Sequence, residues 1–175
     1  NQAVTEKFEW LLFIDHDVVM PPDCFVQIDK YITDGTIPVV SGLYFAKAHP
    51  SSPLVYRGRG NGSFDKWRMG DKVWVDGIPM GLTLINVKVL ELMWKDAPWY
   101  VAGGNKKVRR VFDTPSGMYV DPEKRTWNSY AGTEDLAWCN RVMAGKYLQK
   151  AGFKKIGAQK YPFLIDTNMF CKHMT

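Results

Sequence analysis

The sequence predicts an α/β protein in which an open mixed sheet is flanked by helices. An apolar run, Trp10–Ile14, is bounded by polar residues and is typical of a buried strand. Further strand-like and helix-like segments alternate after it, as expected of an α/β fold. The length of 175 residues suits one compact domain, so we expect a single domain over residues 1–175.

The first elements are justified by local signals. Residues 2–8 read as a helix that leads into the strand Trp10–Ile14. Pro21, Pro22 and Asp23 then open a helix that runs to about Thr33, because proline is tolerated in a first turn and Asp complements the helix dipole. The predicted apolar face of that helix contains Cys24, Phe25, Ile28 and Ile32. The next predicted strand is Ile37–Phe45, which is rich in Val, Ile and aromatic residues.

The middle of the chain is less regular. Ala46–Asp71 contains prolines and a glycine-rich run over residues 58–62, and such a long irregular segment usually has a function or moves. A glycine turn at Gly77–Gly81 separates two strands. The predicted elements here are strands at Val73–Val75 and Leu82–Val87, a helix at Lys88–Trp94 and a hairpin within Pro98–Thr114.

The last third begins with a predicted loop, Pro115–Gly132. Thr133 then caps a helix that ends near Gly152, and Tyr161–Ile165 forms a last strand. Leu136, Cys139, Met143 and Tyr147 follow helical spacing on one face of that helix.

Composition narrows the function only slightly. The formal charge of +5 fits an anionic ligand such as a diphosphate, a nucleic acid or an anionic membrane surface. The basic residues are scattered and form no recognised nucleic-acid module, so no nucleic-acid partner is predicted. The basic group Lys106, Lys107, Arg109 and Arg110 is interpreted as a solvated face rather than a contact for an anionic acceptor or a membrane.

The cysteines indicate the compartment. The 3 cysteines are an odd number without close pairing, which favours a reducing, cytoplasmic location. No apolar run approaches the roughly 20 residues that span a bilayer. The polar start at Asn1, without Met, favours an interior fragment or a processed chain.

Two carboxylates follow the first strand at a spacing of two. Strand side chains alternate between faces, so Asp15 and Asp17 are expected to point to one side and His16 to the other. We expect this strand to be central, with the two carboxylates at the end of the sheet where an open α/β fold usually binds its ligand. Neighbouring carboxylates repel each other, so a positive group is needed beside them, and a divalent cation is the simplest candidate. The alternative is a loop in which Asp serves as a turn former.

Two further groups bear on chemistry. Glu134 and Asp135 begin a helix, where acids favour the helix dipole, and a carboxylate there is also a candidate general base. His173 would complete a metal site with the paired aspartates if the tail folds back, and such a site suits Mn²⁺ or Mg²⁺. Cys171 and His173 alone are short of the four ligands usual for zinc.

Five segments in this order resemble a GT-A fold glycosyltransferase of the family-two-like sort. Phe13–Asp17 resembles its DXD motif, and Thr133–Cys139 resembles its acidic helix. The segments that carry the resemblance are Phe13–Asp17, Val40–Phe45, Val75–Ile85, Thr133–Cys139 with Ala151–Phe153, and Ile165–His173.

The resemblance implies roles for these residues. Asp15, Asp17 and His173 would hold Mn²⁺ or Mg²⁺ on the diphosphate of a UDP- or GDP-linked sugar. Asp135 would be the catalytic base of an inverting transfer, with Glu134 as its neighbour or substitute. Further implied contacts to the donor sugar or the acceptor are Gly77, Gly81, Trp74 and Trp138, although core packing is expected of Trp138.

The resemblance also implies partners. The acceptor would be a sugar, a lipid-linked molecule or a small molecule, and peripheral membrane association is compatible with it. The strand–helix repeats that normally precede the DXD strand and hold the nucleobase are missing, so we expect a fold truncated at its N-terminus. The first strand should then have an uncovered edge, where an oligomer or a partner chain would associate.

Two other functions stay open. A nucleotidyltransferase uses a related fold and binds a metal–nucleotide with paired Asp residues. A non-catalytic carbohydrate- or partner-binding domain that kept the fold would tolerate the loss of Asp135 without functional change.

Overall fold

A computed structural model describes residues 1–58 and 63–173, and the predicted glycine-rich run therefore lies largely outside the described residues. A mixed five-stranded sheet separates two helical layers, which agrees with the predicted α/β class. The strands are β1 Trp10–Ile14, β2 Val18–Val19, β3 Val39–Leu43, β4 Lys72–Val75, β5 Leu82–Asn86, β6 Trp99–Val101, β7 Lys107–Arg109, β8 Ser116–Asp121, β9 Thr126–Ala131, β10 Phe163–Phe170 and β11 Lys172–His173.

The large sheet has the order β1-β5-β3-β10-β4. Strand β3 is parallel to β10, and the other neighbours are antiparallel. The strand that precedes the paired aspartates was expected to be central, but in the described sheet β1 pairs with β5 alone and lies at an edge. The expected uncovered edge is therefore present.

The helices are short, and glycine or a capping side chain marks several of their ends. Helix α2, Cys24–Asp34, stops at Gly35, whose φ of 63° suits glycine. Asn86 caps helix α3, Val87–Asp96, because its side chain accepts a hydrogen bond from the Lys88 N–H at 3.1 Å. The helices are α1 Gln2–Thr5, α2 Cys24–Asp34, α3 Val87–Asp96, α4 Glu134–Ala144, α5 Tyr147–Lys150 and α6 Lys154–Gly157.

The two faces of the sheet bury different clusters. Successive residues of a strand face opposite sides of the sheet, so Val39 belongs to the cluster with α3 and α4, whereas Val40 belongs to the cluster with α2. On α2 the buried residues are Cys24, Ile28 and Tyr31, while Phe25 is exposed, so the predicted apolar face was only partly right.

Two predictions about the last third were wrong. The predicted loop Pro115–Gly132 is an antiparallel hairpin in which Val120 pairs with Trp127. The predicted helix from Thr133 to Gly152 is divided near Lys146, which adopts a left-handed φ of 53°. The residues that α4 buries are Trp138, Cys139 and Val142.

The segment 76–81 is a buried crossing rather than a simple turn. It leaves β4 at one edge of the sheet and must pass β10 and β3 before it enters β5. The Pro79 carbonyl accepts hydrogen bonds from the hydroxyls of Thr83 at 2.8 Å and Ser41 at 3.2 Å. These side chains hold the crossing against the face that also packs α4.

None of the helices in the described ranges is long and apolar enough to cross a membrane.

We predict that Gly42→Ala destabilises the sheet centre. A β-carbon there would lie 2.7 Å from the Met169 carbonyl oxygen and 2.9 Å from Leu82 Cδ2, and the backbone carbonyl cannot swing away. Overpacking of this kind lowers the free energy of unfolding by about 1–3 kcal/mol, which urea unfolding measures. The control is Gly103→Ala, where no atom lies within 4 Å, and an equal loss in both variants would contradict the packing argument.

Candidate functional site

The termini of three strands, β1, β3 and β5, meet at one end of the sheet. Strand β1 ends at Ile14 opposite Leu82, where β5 begins, and β3 ends nearby because it runs antiparallel to β5. The Asp15 N–H donates to the Gly81 carbonyl at 2.8 Å, which fixes the residue after β1 against the end of the crossing. Side chains from separate parts of the chain converge here.

Tyr44 is the centre of this cluster. It is only 3% exposed, and its hydroxyl oxygen accepts a hydrogen bond from the Gly81 N–H. A β-carbon on Gly81 would lie 2.7 Å from that oxygen and 3.1 Å from Asp15 Oδ2, so glycine allows both groups to approach. Burial raises the pKa of Tyr44, and the charges of Asp135 and Asp15 raise it further.

Asp135 reaches the cluster from the start of α4. Its Oδ2 accepts a hydrogen bond from the Met80 N–H at 3.2 Å. Burial raises the pKa of this carboxyl above its usual range, and the negative charge of Glu134 and a smaller effect of Asp15 act in the same direction. A carboxyl with a raised pKa is a stronger base once it is ionised, as general-base chemistry requires.

Glu134 has a different environment. Its side chain is exposed and contacts Thr114, whose hydroxyl lies 3.4 Å from Glu134 Oε2. It acts on Asp135 through charge. The two acids that the sequence offered as base and substitute are therefore not equivalent.

The paired aspartates make different contacts. The expected strand geometry does not continue, because β1 ends at Ile14 and residues 15–17 lie in the turn that follows. Asp15 faces Gly81, whereas Asp17 forms an ion pair with Lys47. The hydrogen bond from Lys47 holds the pKa of Asp17 below its usual value.

The C-terminal segment folds back to the end of the sheet where Asp15 and Asp17 lie, and a metal-binding role of His173 requires this return. Strand β11 pairs with β2, and His173 lies opposite Val18, next to Asp17 in the chain. The His173 ring packs edge to face on Tyr44 with centroids 5.5 Å apart.

The described donors do not form a ready-made site for a divalent cation. Within residues 1–58 and 63–173, no three His, Cys, Asp or Glu side chains are grouped closely enough to hold a metal ion. The residues therefore do not fit a closed protein cage. A cation held by one or two carboxylates together with substrate phosphates, as Mg²⁺ often is, needs fewer protein ligands than such a cage.

The remaining candidates serve packing. Gly77 is buried, and a β-carbon there would lie 2.7 Å from Leu136 Cδ2 and 3.1 Å from Tyr56 Cβ. Trp138 is 1% exposed and stacks against Phe112 in the core, so it cannot contact a sugar. Trp74 packs partly buried against the other core cluster.

Sequence reasoning missed three side chains of the site. Tyr44 lies in a segment that was used for the resemblance, but no role was assigned to it. Lys47 and Tyr56 come from the irregular segment that was expected to have a function or to move. Burial and, to a smaller extent, the charge of Asp135 raise the pKa of Tyr56. The length of that segment was the available signal.

Comparisons with known proteins define the fold and no more. No family model and no curated protein matches the chain. Among solved structures it is similar to A197 from STIV, known from a crystal structure, with 18% identity and a TM-score of 0.52. The similarity covers 98% of this chain and 60% of that chain, so this chain spans about three-fifths of the length of A197.

We predict that Asp135→Asn changes how stability depends on pH. The folded protein holds the Asp135 proton more tightly than the unfolded chain, whose Asp pKa is about 3.9. The contribution of Asp135 to the free energy of unfolding therefore falls as pH rises from that value to the raised pKa, and then levels off. The asparagine cannot ionise, so the stability of the variant relative to the native chain should grow across this window.

Urea unfolding at a series of pH values measures the difference. Asp65→Asn, at an exposed position far from the cluster in sequence, is the matched control. A difference that does not vary with pH would contradict the environment assigned to Asp135.

Proposed function

We propose that this chain contains the catalytic domain of a metal-dependent glycosyltransferase with a GT-A fold. It moves a sugar from a nucleotide-sugar donor to an acceptor hydroxyl with inversion. The observation that carries this proposal is the convergence of Asp15, after β1, and Asp135, at the start of α4, beside Gly81. The general α/β fold with a mixed sheet, shared with A197 from STIV, is compatible with it.

Asp135 is the proposed base. Its carboxylate is held by the Met80 N–H at 3.2 Å, so one oxygen is oriented while the other is free of that bond. Burial favours its protonated form, and the carboxylate therefore has a raised affinity for the proton of an incoming hydroxyl. Tyr44 and Met80 fix the surroundings of this group through the crossing.

The donor side is assigned to Asp15, Asp17 and His173. A Mn²⁺ or Mg²⁺ ion bound there would stabilise the negative charge of the leaving nucleoside diphosphate. Asp15 supplies a carboxylate on the Gly81 side, and Asp17 must exchange its contact with Lys47 to supply another. The pairing of β11 with β2 places His173 opposite Val18, the residue after Asp17.

A non-catalytic carbohydrate-binding domain is the second candidate. Hairpin β8–β9 directly precedes α4 and exposes Met118 and Trp127, each 72% exposed, and an exposed indole is a suitable platform for a sugar ring. The same surface would serve an acceptor in the enzyme, so the test of Asp135 separates the two functions.

Asp135→Asn should lower sugar transfer by about 10²–10⁴-fold, because a positioned general base contributes that much to the rate. Nucleoside diphosphate binding should be unchanged, since the residue acts on the acceptor. Glu134→Gln is the matched control and should retain most of the transfer, because its carboxylate is exposed. Equal losses in both variants, or loss of nucleotide binding in Asp135→Asn, would remove the base assignment.

Asp17→Asn should abolish turnover that depends on Mn²⁺ while the circular dichroism spectrum stays native. The amide is a weaker cation ligand than the carboxylate, so Mn²⁺ should also cease to tighten nucleoside diphosphate binding. Asp29→Asn, an exposed change on α2, controls for the loss of one charge. Unchanged metal-dependent turnover would rule out Asp17 as a ligand.

A further inference from the structure

A cavity of about 690 Å³ lies beside the aspartate turn, between the start of the irregular segment and the C-terminal strand. Its volume is within the range of small-molecule sites. Phe45 and Phe170 form part of its wall and pack edge to face with ring centroids 5.9 Å apart. His173 lines it as well, so the cavity adjoins the cluster around Tyr44.

The wall of this cavity is basic. Its titratable side chains, apart from the Cys171 thiol, are Lys47, His49, Lys172 and His173, and none of its lining residues, all within the described ranges, is acidic. Lys47, His49 and Lys172 are exposed and can reach a ligand in the opening. A concave surface with charge of one sign concentrates ligands of the other sign.

Lys47 connects the cavity to the candidate site. Its ammonium group contacts Asp17, and the lysine side chain is 52% exposed. Exposed ion pairs of this kind contribute little to stability, because water and salt compete for both groups. Lys47 can therefore exchange the single carboxylate of Asp17 for an anion of higher charge. Asp17 then loses its contact with Lys47.

We propose that this cavity binds the diphosphate group of the donor, with Lys47 and Lys172 as its cationic ligands. Lys47 exchanges Asp17 for the diphosphate when the donor enters. The inference rests on the proposed function, which it deepens by assigning charge neutralisation to side chains of this chain in addition to a metal ion. It also gives the irregular segment a defined role in donor binding.

Metal-free binding of inorganic pyrophosphate tests the cavity directly. The chain is treated with a chelator, dialysed and titrated with pyrophosphate by calorimetry. The double variant Lys47→Met, Lys172→Met should bind at least about tenfold more weakly, since it loses two charge-assisted contacts. Lys66→Met and Lys30→Met together form the control, because they remove the same charge elsewhere on the surface. Equal weakening in both double variants, or no pyrophosphate binding at all, overturns the proposal.

Asp17→Asn gives a result in the opposite direction. Without its carboxylate partner Lys47 no longer has to exchange, so metal-free pyrophosphate should bind several-fold more tightly. The same substitution removes metal-dependent turnover under the proposed function. Weaker or unchanged metal-free binding in Asp17→Asn would contradict the exchange.

The source of the anion is tested by displacement. A nucleoside diphosphate should displace pyrophosphate, and displacement by a sugar monophosphate alone would overturn the assignment to the donor. If the chain transfers sugar with Mn²⁺ but does not bind pyrophosphate in the absence of metal, the assignment of the cavity is wrong and the proposed function stands. If pyrophosphate binding depends on Lys47 but the chain transfers no sugar, the cavity is an anion site and the proposed function is wrong.

Discussion

The site depends on the buried crossing of residues 76–81 over the sheet. An irregular backbone segment that is buried must find hydrogen-bond partners outside regular secondary structure. Here side chains supply them: Ser41 and Thr83 donate to the Pro79 carbonyl, and Asp135 and Tyr44 accept from the amides of Met80 and Gly81. The crossing therefore imposes polar residues on what would otherwise be an apolar interface.

The same side chains define the candidate chemistry. Asp135 satisfies a backbone amide and at the same time has a raised pKa, because the crossing and α4 bury it beside Asp15. Tyr44 similarly ties the end of β3 to Gly81 and supports the His173 ring. Structural and chemical roles coincide in these residues, so tests that measure only stability cannot separate them, whereas binding and transfer assays can.

Local signals in the sequence predicted the local features. The structure contains the strand before the aspartates and the acids at the start of α4. The C-terminal segment also returns to the end of the sheet where the aspartates lie. The different contacts of Asp15 and Asp17 were not predictable, because the end of β1 at Ile14 depends on pairing with β5. The contact from Lys47 joins residues 30 positions apart through a loop, and no periodic pattern encodes such a contact. The β8–β9 hairpin was missed because its turn signals resemble those of an irregular loop.

The electrostatics of the carboxylates point to a division of roles. Neighbouring carboxylates are stabilised by positive charge, and Asp17 receives it from Lys47, whose hydrogen bond lowers the pKa of Asp17. Burial and the neighbouring acids instead raise the pKa of Asp135. Groups whose environments shift their pKa values apart in this way are suited to different roles in acid–base chemistry. Lys47 favours the ionised form of Asp17, whereas burial gives Asp135 the higher affinity for a proton.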